Sequence, residues 1–406
     1  MSVREMKSSG VEWIGDIPSS WHITKIKYAY LIISGNGFPI SMQGKDTGDF
    51  PVFKASDISI NHFCTARNSA NYITKQESHS FKVLSKGTII FPKIGEALKK
   101  NNRAILGVNA CVDNNCQGLV PVNMHDRYSL YLLSCIDMNW FNNDGTVPCI
   151  DNSKLKNCYI PSPVKQEQTA IAYYLDSKCA EIDTLTAEIE KQIETLQEYK
   201  KSVITEAVTK GLDPNVKMKE SSVEWIGSVP KNWKVIAAKH CVNIENGSDP
   251  VTDGDTPVYG SGAESFRRCG EFKLGPSVLI GRKGTINIPR YITGKFWNVD
   301  TAFNVYSKNE TVIKLKYYYY LSTSFDYKRY MNQTTLPGMT RTAYENMRIP
   351  LPSVIEQQQI IEFLDNRCSE IDTLISDKHT MLSSLAQFKQ SLIYEYVTGK
   401  KTVPNA

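Results

Sequence analysis

The stretch from Pro163 to Lys210 returns, diverged, from Pro352 to Gly399, and this doubling constrains what the rest of the chain can fold into. Pro161 and Pro350, Glu167 and Glu356, Gln168 and Gln357, Asp176 and Asp365, Cys179 and Cys368, and Asp183 and Asp372 are all related by one offset of 189 residues without a gap. Self-similarity at a fixed offset marks an internal duplication.

Both copies predict long helices. Leu175, Ile182, Ile189, Leu196 and Val203 recur every seven residues in the first copy, and Leu364, Ile371, Leu385 and Leu392 follow the same rhythm in the second, with Lys378 as a polar intruder. A heptad of this kind is the seam of a coiled coil. Leu185 and Tyr199, and Leu374, Met381 and Phe388, stand at an intervening position three residues on, and are expected to complete the seam. No Pro or Gly interrupts either run, so nothing local breaks the helix. A helix of about 44 residues is about 65 Å long, which suits a spacer better than the interior of a small globule. A narrow apolar stripe has to be covered, and a full domain lies between the copies. They are therefore expected to pack on each other antiparallel.

A second, shorter repeat frames the first. Met6 to Trp21 (MKSSGVEWIGDIPSSW) returns as Met218 to Trp233 (MKESSVEWIGSVPKNW). Gly and Pro punctuate it and two Trp anchor it, so it reads as an ordered clasp rather than a catalytic segment. Its offset is 212, which leaves the region between clasp and helix 23 residues shorter in the second half. The frame is held while its contents vary. Some correspondence survives inside: Pro51-Val52-Phe53 resembles Pro257-Val258-Tyr259, Gly95 aligns with Gly284, and Arg127-Tyr128 and Tyr131-Leu132 align with Lys316-Tyr317 and Tyr320-Leu321.

The expected order is a clasp (1–27), a first lobe (28–160), a helical repeat (161–211), a second clasp (212–239), a second lobe (240–346) and a C-terminal helical repeat (347–406). Short β-rich runs at 87–94 and 103–108, then a helix at 127–136, predict a curved sheet with a helix packed on it. The second lobe repeats this plan through 256–262, 276–288, 298–307 and 316–325. The fold class is α+β: two similar α/β lobes joined by two long antiparallel helices in a coiled coil, with pseudo-twofold symmetry.

Charge is segregated. The helical copies carry six basic against nine acidic residues (163–210) and three against seven (352–399), whereas each lobe (28–160 and 240–346) carries thirteen basic against ten acidic. Basic lobes suit a polyanion, and acidic helices would avoid one. No window approaches the roughly 18 apolar residues of a membrane span, and the N-terminal region lacks the pattern of a cleaved leader, so a cytoplasmic location is expected. The ten cysteines form no CxxC pair and read as buried free thiols. His22, His62, His79, His125, His240 and His379 show no paired spacing, so no metal site is expected.

These features together resemble one family, the specificity (S) subunits of type I restriction-modification enzymes. The resemblance is carried by EWIGDIPSSW and EWIGSVPKNW, by the helix openings IPSPVKQEQTAIAYYLD and IPLPSVIEQQQIIEFLD, by the EIDTL that follows each, and by the IGRKGTIN run and LPGMT turn of the second lobe. It implies that each lobe is a target-recognition domain reading one half of a split, asymmetric double-stranded DNA site. It also implies that the helices set the spacing and dock methyltransferase subunits, two of them in the expected assembly, and that a restriction/translocase subunit joins. No catalytic centre and no cofactor are then expected on this chain, with S-adenosylmethionine, ATP and Mg²⁺ belonging to partner subunits. Helical spacers place half-sites on the order of one duplex turn apart, about 34 Å.

Contacts to DNA need cations near phosphates and a few groups that reach base edges. In the second lobe the candidates are Arg267 and Arg268, and Arg282, Lys283 and Gly284, where glycine lets the backbone approach. In the first lobe they are Lys93, then Lys99, Lys100 and Arg103 in a basic loop between two strands. The Tyr317–Tyr320 run is assigned to the lobe core rather than to base stacking, because of its helical spacing. No amino-methyltransferase motif and no GxxxxGK[ST] phosphate loop occurs. Two rival readings are a protein-interaction scaffold without DNA and a self-sufficient nuclease using Asp255, Glu271 and Lys273 to hold Mg²⁺. Salt-sensitive binding to random duplex separates the first, and Mg²⁺-dependent cleavage by the chain alone separates the second.

Overall fold

The computed structural model describes residues 4–60, 63–143, 145–331 and 337–404. The chain divides into two compact units, Met1–Ala187 with Met381–Ala406, and Glu188–Thr380. Each unit contains one lobe, one stretch of each long helix and one clasp.

In the first unit, strands Tyr30–Ser34, Cys116–Pro121, Ile89–Pro92, Ala104–Leu106 and Thr65–Ala66 form a five-stranded sheet in that order. A smaller sheet of Cys111–Val112, Phe50–Phe53 and Tyr72–Ile73 completes the lobe. Helix Asp126–Ser134 covers the larger sheet, and its Tyr128, Leu130, Tyr131, Leu132 and Leu133 share one core with Ile89, Phe91, Ile105 and Leu119. The second unit follows the same plan with fewer residues. Val242–Asn246, Ala302–Ser307, Ser277–Gly281 and Arg290–Ile292 form one sheet, and Ser265–Cys269, Thr256–Tyr259, Lys295–Asn298 and Lys273–Leu274 another. Helix Leu315–Thr323 buries Tyr317, Tyr318, Tyr320 and Leu321, so the tyrosine run is core.

Each lobe is closed at its base by an antiparallel pair, His22–Lys25 with Tyr159–Ser162 in one unit and Lys234–Ala237 with Arg348–Leu351 in the other. The long helices, Lys165–Lys210 and Val354–Val397, start directly after these pairs. Ser353 and Glu356 form a capping box at the second start, since the Ser353 backbone N–H and hydroxyl donate to the Glu356 carboxylate and the Glu356 N–H donates back to Ser353 Oγ. Glu356 also accepts the indole N–H of Trp233 at 3.2 Å, and Glu167 accepts that of Trp21 at 2.7 Å. Gln168 takes the His125 N–H at 2.7 Å, and Gln357 takes the Lys314 N–H at 2.8 Å. The two repeats therefore preserve the same bonds in both units, the tryptophans at the offset of 212 and their partners on the helices at 189.

The clasps close the far ends of the helices. The first long helix ends at Gly211 (φ +78°), packed on Trp233, and the second at Gly399 (φ +76°), packed on Pro18 and Trp21. A left-handed residue here is the usual way to stop a helix, and glycine takes it without steric cost. Tyr394 and Lys400 add hydrogen bonds to the carbonyl of Ile14.

Within each unit the helical stretches run antiparallel. In the first, Tyr174 meets Tyr396 with ring centroids 4.6 Å apart, and Lys389 pairs with Asp183 at 2.5 Å. In the second, Lys200 pairs with Asp372 at 2.6 Å and Lys378 donates to Gln192 at 2.6 Å. Of the seam residues named from sequence, Leu175, Ile182, Ile189, Leu364, Ile371 and Leu392 are buried, and Leu196, Val203 and Leu385 are half-buried.

The second row of the seam differs from the sequence expectation. Leu185, Tyr199, Leu374, Met381 and Phe388 are between 44% and 54% exposed. The inner row falls four residues on instead of three, at Cys179, Thr186, Ile193 and Lys200 and at Cys368, Ile375, Leu382 and Lys389, all buried or half-buried. Both spacings lie on the same side of a helix, so apolarity has to choose between neighbours. It favours Leu185 over Thr186, Tyr199 over Lys200 and Phe388 over Lys389, which is the wrong choice each time, and it does not separate Leu374 from Ile375 or Met381 from Leu382. The two lysines belong inside because their stems pack while their ammonium groups reach the aspartates.

Candidate nucleic-acid interface

In the second lobe all but one of the candidate residues, from two places in the chain, meet around one cleft. Strand Ser277–Gly281 leads straight into Arg282, Lys283 and Gly284. The N–H groups of Arg282 and Lys283 donate to the Thr301 carbonyl at 2.8 and 3.2 Å, the Gly284 N–H donates to Pro337 O at 2.8 Å, and the Met339 N–H returns a bond to Arg282 O at 2.9 Å. The backbone is thereby pinned between two neighbouring segments. Gly284 sits at φ +80°, which makes this a glycine-dependent turn. Pro337–Thr340 of the LPGMT turn form the adjoining wall, and Leu336 lies outside the described residues.

Arg267 arrives from the edge strand Ser265–Cys269, whose first four residues are exposed. Its Nη2 donates to Asp249 Oδ1 at 2.9 Å, and its guanidinium lies 5.5 Å from the ring centroid of Phe266. Asp249, Gly260, Ser261, Glu264, Phe266, Arg267, Asp300 and Thr301 line a cleft of about 530 Å³. Arg282 and Lys283 reach Asp300 of the same cleft at 3.8 and 3.7 Å. Arg267, Arg282, Lys283 and Gly284 are thus brought together. Arg268 is not: its Nη1 donates to the Asp255 carbonyl at 2.7 Å, as strand alternation requires of the next residue.

Beneath the cleft wall lies a cation that sequence reasoning missed. Arg290 is 9% exposed, its Nη2 donates to Gly260 O at 2.5 Å, and it lies 5.4 Å from the ring centroid of Tyr259. Its Nε and Nη1 have no hydrogen-bond partner among the described residues, and burial lowers its pKa to about 10. Its place in a strand beside Tyr291 gave no signal distinguishing it from a surface arginine.

The first lobe gathers its candidates less tightly. Lys93 is half-buried, Lys100 is exposed, and Lys99 is exposed in a pair with Glu96 at 2.7 Å. The expected loop begins with a helical turn, Glu96–Lys99. Arg103 requires a correction: it is 1% exposed, and its Nη2 donates to Asn101 Oδ1 at 2.5 Å and to the Ile136 carbonyl at 3.1 Å, beyond the end of helix Asp126–Ser134. Burial pushes its pKa down to about 10. It serves as an internal tie between Asn101 and the segment that follows helix Asp126–Ser134, and no part of it is offered to a ligand.

The nuclease reading fares poorly. Glu271 Oε1 accepts the N–H groups of Val251 and Thr252, and Lys273 Nζ donates to the Asn298 and Asn304 side chains. Among the described residues no group of three His, Cys, Asp or Glu could hold a metal ion; His62 lies outside them. Among the described residues, no helix is long and apolar enough to cross a membrane.

The family model described as "Type I restriction modification DNA specificity domain" matches residues 18–195 and 230–380. The chain is 24% identical over 425 residues to a protein assigned as the type I restriction enzyme MjaX specificity subunit of Methanocaldococcus jannaschii, covering 95% of each. It is 27% identical over 294 residues to the type I restriction enzyme MjaVIII specificity subunit of the same organism, covering 64% of this chain and 66% of that one. In fold it is similar to a chain solved in work on complex assembly and conformational transition of the type I R-M system (TM-score 0.72, 14% identity, 95% and 99% covered). It is also similar in fold to the HsdS subunit from Thermoanaerobacter tengcongensis (TM-score 0.52, 14% identity, 97% and 100% covered). With the family match covering both lobes and most of both helices, the chain belongs to the type I restriction-modification DNA specificity family, as the non-catalytic, cofactor-free subunit that gives such a system its DNA specificity.

Proposed function

We propose that each lobe reads one half of an asymmetric, bipartite DNA site, and that the paired helices fix the unread gap and dock methyltransferase subunits, two per chain. A restriction/translocase subunit completes the cytoplasmic assembly. S-adenosylmethionine, ATP and Mg²⁺ sit on those partners, which flip the target base out of the duplex. The chain's own segments divide the work as clasp (1–27), first lobe (28–160), helical repeat (161–211), second clasp (212–239), second lobe (240–346) and C-terminal repeat (347–406). Arg267, Arg282, Lys283 and Gly284 contact DNA in the second lobe, with Arg268 at its edge, and Lys93, Lys99 and Lys100 do so in the first.

One observation carries this reading: two unlike lobes are fastened to the helices by the same bonds. Arg127 and Tyr131 hold Asp176 in one unit as Lys316 and Tyr320 hold Asp365 in the other. A kept attachment with variable contents suits heads that are exchanged while the frame stays fixed. The test is to replace residues 28–157 with the corresponding lobe of a relative and sequence the methylated sites. One half-site should change. A change in both halves would end the modular reading.

A further inference from the structure

We propose that the cleft beside Arg267 reads the major-groove edge of one G·C base pair, Arg267 donating to guanine and Asp249 or Glu264 accepting from the cytosine amine. The proposal rests on the reading of the second lobe as a DNA-contacting domain, and goes further by separating the base-reading group from the cations that only follow the backbone.

The charge balance of the cleft points this way. Arg267 pairs with Asp249 at 2.9 Å, Arg282 and Lys283 lie 3.8 and 3.7 Å from Asp300, and Glu264 lines the same cleft. A phosphate offers acceptors alone, and beside Arg267 it would meet the Asp249 carboxylate. The major-groove edge of G·C instead presents two acceptors, O6 and N7, beside one donor, the cytosine N4 amine. A fork of N–H groups next to a carboxylate matches that pattern.

Arg267 is the prepared fork. Asp249 takes one of its nitrogens and Phe266 backs the guanidinium, while its Nε and Nη1 have no partner among the described residues. Asp249 uses one hydrogen of Nη2, so the other Nη2 hydrogen and one neighbouring N–H of this planar, always-charged donor form a fork that can pair bidentately. The Asp249 partner is 80% exposed, so shifting that pair to admit a base costs little. Lys283 is placed differently. It belongs to a turn whose backbone is pinned on both sides, beside a glycine, and its ammonium group is only loosely associated with Asp300 at 3.7 Å. A point charge on a rigid, closely approaching backbone suits phosphate.

The test is selection from a randomised duplex library by the purified full-length chain, comparing the wild type with Arg267→Ala and Lys283→Ala, both at exposed sites and both checked by melting. Arg267→Ala should lose preference at a single G·C position of one half-site, by roughly 5- to 150-fold, and leave the other half-site unchanged. Lys283→Ala should weaken all sequences alike and lower the slope of log affinity against log salt by about one. Uniform weakening by Arg267→Ala with preferences intact would overturn the base-reading assignment while leaving DNA contact in place. Unchanged binding in both variants would remove the lobe's DNA contact itself.

Discussion

Asp176→Asn tests how the first lobe is attached. The Asp176 carboxylate accepts from Arg127 Nε at 2.9 Å, from Arg127 Nη2 and from the Tyr131 hydroxyl at 2.7 Å. Burial disfavours the Arg127 charge, yet the hydrogen bond and charge of Asp176 outweigh it and hold the guanidinium pKa above its ordinary value. Asparagine keeps the volume but removes the charge and turns one acceptor into a donor facing donors. A hydrogen bond to a charged group contributes about 1.5–3 kcal/mol. Both side chains are 32% exposed, so solvent screening brings the whole latch to about 2 kcal/mol. For a unit of this size, melting should fall by about 4–8 °C. The control is Glu181→Gln, which removes an exposed pair with Lys178 one turn away and should leave melting almost unchanged. Hydrogen exchange should show lost protection in residues 126–134. If Asp176→Asn melts within a degree of the control, the attachment does not depend on this latch.

Three further perturbations address other parts of the frame. Gly399→Ala places a methyl 2.4 Å from Pro18 Cδ at a positive φ, so the C-terminal helix end should loosen from its clasp by about 1–3 kcal/mol, read by melting and Trp21 fluorescence. Buried tyrosines including Tyr30, Tyr128 and Tyr317 have pKa values raised by burial. The unfolded chain then releases their protons first, so stability should hold below about pH 10 and decline above it, and a flat pH 9–12 melting profile would contradict this. Deleting one heptad from each long helix removes about 10 Å of length, or about three base pairs, and the unread gap in the methylated motif should shorten accordingly.

The frame was legible in the sequence because duplication reports contacts twice. Asp176 with Arg127 and Tyr131, and Asp365 with Lys316 and Tyr320, recur at the same offset, and in both units they touch. The clasp was legible for the same reason. The inner row of the seam was not. Its Lys200 and Lys389 look like surface residues until their aspartate partners on the facing helix are known, and its Ile375 and Leu382 stand next to equally apolar Leu374 and Met381. Arg103 misled because a basic run and a strand start overlap there, and only the fold shows that the arginine turns inward to Ile136. In the cleft, the cations announced themselves as short motifs. Their acidic partners did not, because Asp249 and Asp300 join Arg267 and Arg282 from about 18 residues away along the chain, each as an isolated aspartate.

Two dissimilar heads on one repeated frame imply a target made of two unlike parts. Base-resolved sequencing of methylated DNA from cells with and without this chain, in the presence of its modification subunit, tests that most directly. The expected result is a motif that appears only with the chain, made of two unlike half-sites separated by a fixed stretch in which any base is accepted. A continuous or palindromic motif, or methylation that is the same without the chain, would contradict it.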